Sequence, residues 1–574
     1  MSEIAQAPET VRPWDPLRRP VFRDRLIASI ISNTGSWMQD TAGTWLMAAL
    51  TTSPLLIALM QTAATLPVLL FGLLAGAMAD IFDRRRLLLF WAGWMLVAAV
   101  LLSGFTLAGW ISPGSLLVLT CLLSVGAAMN GPTWQAIVPE LVPRGELPVA
   151  IALNSAGFNL ARALGPALGG LTVAAFASVW FGAGLVFSLN ALSFIAVLVV
   201  IYRWKRTPLF KSALPAERLL GSMRAGVRYA RFEPAVRSIL IRAFLQTFCA
   251  SAMWGLLAVV ARDGLHHGAL GYGILNACVG LGAVTAAIWL PRLRERFSAN
   301  TIVSAAAIIF SITLLFMAWV HYWLPLVLVL VAGGMAWTST ASSLNISLQL
   351  SVPPWVQARA LGIFQMAFQG GLAIGSAFWG GLAERIGTTW ALSLAAATLA
   401  VSLPLARRFS LTSGISLDHS PGRLAKALMR AAPQLLIEPN PEDGPVLVTL
   451  TFRTNPECAE DFIQAAHELG RVRRRDGAVR WALFRDPFDP ALYMEAYVVE
   501  SWLERQRQLE RFTVADHAIR NRVFSFHVDA TPPAVSRMIL THVPPGPDRV
   551  KRSSNPEEPR VETRERKGIE LIRG

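Results

Sequence analysis

From Phe22 to Arg408 the chain runs through twelve apolar stretches of roughly twenty residues or more, broken by short polar loops. No other feature limits the fold so strongly. About twenty apolar residues in a helix cross a bilayer of about 30 Å, and a backbone inside lipid must satisfy its own hydrogen bonds. The stretches lie at 23–49, 54–79, 87–109, 115–138, 150–177, 181–202, 236–261, 269–290, 300–320, 324–349, 359–383 and 388–408. The 574 residues are 53% hydrophobic and only 16% charged, and that ratio lies outside the soluble range. The expected fold is an all-α polytopic membrane protein of twelve transmembrane helices.

The loops orient the spans. Arginine and lysine beside a span stay on the cytoplasmic side, so Arg84, Arg85 and Arg86 place the loop between spans two and three inside the cell. Counting outward puts Arg144, Arg203 to Arg237, Arg292 to Arg296 and Arg359 inside as well, with few basic residues in the outer turns. Both termini are then cytoplasmic, and the protein is multi-pass in a bacterial inner membrane. The formal net charge of +15 is explained by these flanks rather than by nucleic acid. The polar, proline-rich start MSEIAQAPETVRPWDPLRRP has no signal-peptide core. Four cysteines without CxxC spacing indicate neither a disulfide framework nor a metal site, and no sequence feature calls for a cofactor.

The spans divide into two sets of six around a polar, basic connection. Residues 1–21 form an N-terminal segment, 22–203 the first half, 204–235 the central loop and 236–408 the second half. A shift of 210 positions superposes Gly72 on Gly282, Arg84 on Arg294, Pro143 on Pro353, Gly165 on Gly375 and Gly170 on Gly380. Two parallel repeats facing one another enclose a central cavity, the architecture of an alternating-access transporter.

The loop GAMADIFDRRR, Gly76 to Arg86, resembles the major facilitator superfamily pattern GxxxDxxxRR between spans two and three. Gly76, Asp80, Arg84 and Arg85 fall on the family positions, whereas Ile81 replaces the usual basic residue and Asp83 the usual second glycine. The resemblance implies a conformational gate, with Asp80 near the start of span eleven in the outward-facing state. A carboxylate there would gain about 0.3 to 1 kcal/mol from the helix dipole. The plainer reading is a charge cluster that only sets topology.

In span five, NLARALGPALGG resembles the exporter-associated pattern GPxxGG, carried by Gly165, Pro166, Gly169 and Gly170. Glycines four apart let backbones approach, and proline bends the span. Together with the polar stretch ISNTGSW of span one, these motifs resemble the branch that holds the enterobactin exporter and the transmembrane secretion effectors. That implies export of a small molecule, siderophore or drug-like. The arginine pattern of proton antiporters in span four is absent, since Leu116 to Val138 contains no basic residue.

Asp40 in span one and Arg162 in span five are ionisable groups inside spans, so each should face the cavity or a partner. They are the candidates for transport and coupling, with protons as the coupling partner; the alternative is a fixed ion pair between the two spans. Neutral polar groups such as Asn276, Gln365 and Gln369, and Trp37, Trp134, Trp254 and Trp337, suit a large amphipathic substrate.

After Arg408 the composition shifts. Residues 409–444 read as a linker with a basic amphipathic helix around RLAKALMRAAPQLL, and 545–574 as a disordered tail. Between them, 445–544 shows the order βαββαβ of a ferredoxin-like α+β cytoplasmic domain. It resembles the dimeric α/β-barrel domains, which implies a homodimer through this domain. Trp481, Tyr493, Trp502 and His517 could line a pocket, although aromatics on strands are usually core. The expected function is secondary active export without catalysis; the competing reading is a membrane-anchored sensor or enzyme whose activity lies in the tail domain.

Overall fold

The computed structural model describes residues 14–143, 146–204, 219–266, 268–353, 355–408, 411 and 439–541. The expected basic helix near 423–436, the extreme N-terminus and the 545–574 tail lie outside the described residues. Long helices follow in order: α1 (Pro20–Leu50), α2 (Pro54–Ile81), α3 (Arg84–Leu107), α4 (Pro113–Ala136), α5 (Leu147–Ala174) and α6 (Val179–Arg203). After a shorter α7 (Leu219–Phe232) come α8 (Pro234–Val259), α9 (Ala269–Arg296), α10 (Ala299–Trp319), α11 (Trp323–Leu350), α12 (Gln357–Ile386) and α13 (Thr388–Arg408).

Local chemistry sets the boundaries. Ser53 and Ser112 each cap a helix that begins with proline, and Ser178 and Ser298 accept from the third backbone N–H of α6 and α10. A side-chain cap stabilises an end by about 1 kcal/mol, and proline at the first position lacks only a donor that would be unused there.

Among the described residues, nine helices are long and apolar enough to cross a membrane. The expected spans at α1, α5 and α13 fall outside that set. For α1 and α5 the reason is the polar groups they carry, Asp40 among Asn33 and Gln39, and Arg162 among Asn154 and Asn159. Leucine, isoleucine and valine cover the outward surface of the helices, and Trp110, Trp319, Tyr322 and Trp390 are exposed at one end of the bundle. Such a ring of amphipathic aromatics suits a membrane interface.

Two faces can be told apart. The basic face carries the Asp83 turn, Arg84 to Arg86, α7 and the end of α13; the opposite face carries the turns at Thr51, Gly109 and Gly387. α7 was not foreseen within the expected central loop. It is amphipathic, with Tyr229 fully buried and Arg224 and Arg231 exposed.

After the helices comes a four-stranded antiparallel sheet of β1 (Val446–Arg453), β2 (Ala478–Arg485), β3 (Leu492–Val499) and β4 (Ala534–Ile539), in spatial order β2-β3-β1-β4. Helices α14 (Ala459–Asp476), α15 (Trp502–Glu510) and α16 (Val514–Phe524) complete it. Where one second helix was expected there are two, because Thr513 starts α16 with its own capping box. β1 alternates strictly, burying Val446, Val448, Leu450 and Phe452 against Phe462, Ala466 and Leu469 of α14.

This unit docks on the basic face. The Arg475 guanidinium donates to Asp476 at 2.8 Å, to Asp516 at 2.7 Å and across to Glu233 at 3.2 Å, and lies over the Tyr229 ring. Arg228 of α7 reaches Glu504 at 3.0 Å, and Arg511 stacks 4.7 Å over Trp355.

Candidate functional site

Between the two sets of helices lies a cavity of about 460 Å³. α1 contributes Trp37, Asp40, Thr41 and Thr44, α5 contributes Phe158, Arg162 and Pro166, and the other set supplies Trp254, Tyr272, Asn276, Trp337, Gln365 and Gln369. Polar and aromatic groups on helices otherwise clad in aliphatic residues point inward because lipid offers them no hydrogen bonds.

Asp40 and Arg162 both line this cavity without forming the fixed ion pair of the alternative reading; among the described residues no ion pair joins them to each other or to any other side chain. Asp40 is exposed to the cavity. Arg162 lies 5.7 Å from the Trp37 ring and 5.9 Å from the Trp254 ring. An arginine held over aromatic faces keeps its donors free for another acceptor.

Other expected polar groups divide. Asn276, Gln365 and Gln369 face the cavity, whereas Gln39 accepts from Asn190 at 2.7 Å and ties α1 to α6. Trp37, Trp254 and Trp337 line the cavity; Trp134 instead packs under Arg25 at 4.5 Å. Thr41, Thr44, Gln61 and Tyr272 also line it. Sequence reasoning overlooked them because a threonine or tyrosine in a span is as compatible with packing as with lining.

The span-five motif sits where helices touch most closely. A Cβ on Gly165 would come within 3.0 Å of the Thr34 carbonyl oxygen, and one on Gly169 within 2.7 Å of that of Met38. Gly170 faces the other set of helices: its Cβ would lie 2.7 Å from the Ala269 carbonyl oxygen and 2.8 Å from Gly273 Cα. Pro166 borders the cavity.

Close to Gly170 the opposite face is sealed. Arg262, from the turn after α8, donates to the carbonyls of Ala48 and Thr51 at the end of α1, at 2.7 and 2.8 Å. A guanidinium at a helix C-terminus satisfies carbonyls that otherwise lack partners. Ser53 donates to Glu384 at 3.1 Å and Thr62 to the Ala373 carbonyl at 2.8 Å, so polar contacts run between the two sets in both directions. The sequence showed Arg262 only as a basic residue in an outer turn.

The Gly76–Arg86 loop makes contacts of a different kind. Arg85 donates to the carbonyl of Ile201, at 3.2 Å, and to that of Tyr202, capping α6 within the first set. Asp83, where the family pattern has glycine, caps α3 by accepting from the Arg86 N–H at 2.9 Å. Arg84 approaches the Ala79 carbonyl at 3.4 Å, and a Cβ on Gly76 would meet open space. The side chain of Asp80 lies outside the described residues.

Comparison with known proteins gives the following. The family model described as "Transmembrane secretion effector" matches residues 11–544. An uncharacterized MFS-type transporter of Bacillus subtilis is 27% identical over 245 residues, 40% of this chain and 56% of that protein's length. The multidrug efflux pump Tap of Mycolicibacterium fortuitum is 26% identical over 66% of this chain and 92% of its own. The staphyloferrin A transporter of Staphylococcus aureus is 22% identical over 59% and 84%. Among solved structures, a D-xylose-proton symporter superposes with a TM-score of 0.56 at 12% identity, over 70% of this chain and all of that one, a likeness of fold.

Proposed function

We propose that this chain, which belongs to the transmembrane secretion effector family of major facilitator transporters, exports a small amphipathic molecule across a bacterial inner membrane by proton-coupled alternating access. The observation that carries the reading is the cavity between the two sets of helices, with an acid and a base that neither pair with each other nor spend their charge elsewhere. Among the relatives, a multidrug efflux pump and a staphyloferrin transporter bracket the substrate as drug-like or siderophore-like.

In this reading all twelve long helices cross the membrane as two six-helix halves, 22–203 and 236–408, and the basic face with both termini is cytoplasmic. The sealed opposite face is then the periplasmic gate in its closed state. Substrate enters from the cytoplasm; aromatic rings take its apolar body, and Arg162 takes a negative or carbonyl oxygen. Asp40 carries the coupling proton. Opening the outer side breaks the Arg262, Ser53 and Thr62 contacts and parts Gly170 from Gly273. On the basic face, Asp80 with Arg84 and Arg85 then closes against the start of α12. The tail unit 445–544 is a ferredoxin-like domain, and the open face of its sheet pairs two copies of the chain. The domain regulates transport rather than catalysing a reaction.

Uptake into inverted vesicles under an inward-acid pH gradient tests the central step. A panel of siderophores and amphipathic drugs should include at least one compound that accumulates only with the gradient. Asp40→Asn should remove that accumulation while membrane expression stays intact; unchanged accumulation in the variant would take Asp40 out of the mechanism. A chain truncated after Arg408 that retains full gradient-driven uptake would leave the competing reading, activity in the tail domain, without support for transport.

A further inference from the structure

Inside the C-terminal unit a second group of charges is arranged unlike the docking network. Tyr497 of β3 lies opposite Val448 of β1, which lies opposite Arg537 of β4, so Tyr497 and Arg537 share the helix-facing side of the sheet. Over that side α14 brings Arg473, α15 brings Arg505 and α16 brings Arg520. Arg473 stacks 4.9 Å and Arg505 5.8 Å from the Tyr497 ring. Against these four guanidiniums stand Glu495, whose Oε1 accepts from Arg473 at 3.4 Å and from Trp481 at 2.9 Å while its Oε2 has no partner among the described residues, and Asp476, whose charge also acts on Arg473.

Several of these groups are buried without partners. Arg505 is 6% exposed and Tyr497 1%, yet among the described residues Arg505 Nε and the Tyr497 hydroxyl make no hydrogen bond. Arg505 spends Nη1 on the neutral Gln508, at 2.7 Å, and Arg520 Nε is also unused. Both ring nitrogens of His517 lack partners. Burial, and then Tyr497, Arg473 and Arg537 among its neighbours, act on Arg505, with a net lowering of its affinity for the proton. An unsatisfied buried donor destabilises the fold, and more so when it is charged. A fold keeps such a cluster when something outside the chain satisfies it.

We propose that this cluster is a binding site for a small oxyanion, a carboxylate or phosphate, held by Arg505, Arg473 and the Tyr497 hydroxyl, with Arg520 and Arg537 at its margin. The way in is along β4, where Val535 and Arg537 face the helix side and are both exposed. Planar guanidiniums recognise carboxylate and phosphate through paired N–H donors, and Tyr497 supplies a neutral one. The site adjoins the docking surface covalently: Arg473 is two residues from Arg475, and Arg505 follows Glu504, which holds Arg228. An occupant therefore sits at the ends of the two helices that fix this unit to the membrane block.

The test is equilibrium binding of radiolabelled citrate, benzoate and inorganic phosphate to the full-length chain in lipid nanodiscs. At least one anion should bind saturably, at about one per chain, and lose affinity at least about tenfold in Arg505→Gln. Arg537→Gln, an exposed change that spares the core, should weaken the same anion. Arg480→Gln, on the outer side of the sheet, should bind within about twofold of wild type. Phosphate alone would assign a phosphoryl ligand, and citrate or benzoate alone a carboxylate. Absence of saturable binding of all three up to about 10 mM, or equal weakening in Arg480→Gln, would overturn the site.

Discussion

The membrane cavity and the docking surface of the C-terminal unit both place charged residues away from bulk water, and they treat them in opposite ways. Asp40 and Arg162 line a cavity as separate charges, with rings and neutral amides around them. At the docking surface Arg475 holds three carboxylates, and Arg511 and Arg228 share Glu504. Paired charges bring geometry, because breaking one leaves the other stranded. Unpaired charges at a cavity wall remain available to whatever enters. The first region is built to exchange partners, the second to keep them.

The largest effect that would break this contrast is expected at Arg475. Arg475→Ala strands Asp476 and Asp516, and losing one partner of a buried pair costs about 3–5 kcal/mol. Limited proteolysis of the full chain should cut within 439–541 much faster than in wild type, while substrate binding in the cavity is retained. Equal cleavage rates would mean that the network does not hold the unit in place.

A smaller effect separates two glycines that look alike in sequence. Gly170→Ala places its methyl against the Ala269 carbonyl and Gly273, so the outer seal cannot close without a backbone shift, whereas Gly76→Ala meets open space in this state. Overpacking of this kind costs about 1–3 kcal/mol, or roughly five- to 150-fold in the population of the sealed state. Labelling of Thr44→Cys by an impermeant maleimide added from the outer side should rise in the Gly170→Ala background and stay low with Gly76→Ala.

The smallest effect concerns pH. One guanidinium between three carboxylates cannot satisfy them all, and burial outweighs the pull of Arg475 and Arg511, pushing Asp476 up to about 6. The folded state thus binds this proton more tightly than the unfolded chain, whose carboxyl stays near its ordinary value of 3.8. This group's contribution falls as pH rises from about 4 to about 6 and stays constant above that. Melting curves of wild type and Asp476→Asn should differ in slope across that window, with wild type losing ground as pH rises. Parallel curves would place the proton elsewhere.

Much of this was legible in the sequence, for reasons visible in particular residues. Long apolar runs announce helices, because hydrophobic length acts locally. Asp40 and Arg162 stood out because a charge in a span has few tolerable places to go. Arg262 and Tyr272 did not, since an arginine in a turn and a tyrosine in a helix have many. Nor did α7, whose basic, amphipathic stretch reads as a loop until the C-terminal unit covers it.

The sequence by itself determined which segments avoid water and which residues could not rest in lipid, since transfer free energy and helix capping depend on residue type and near neighbours. Only the tertiary structure decided that Asp40 and Arg162 stay apart while Arg475 gathers its acids. It also decided that Gly170 meets Gly273 and that Arg262 closes over the end of α1. Each of those partnerships joins residues distant in the chain, and its energy depends on distances and burial that no local pattern encodes.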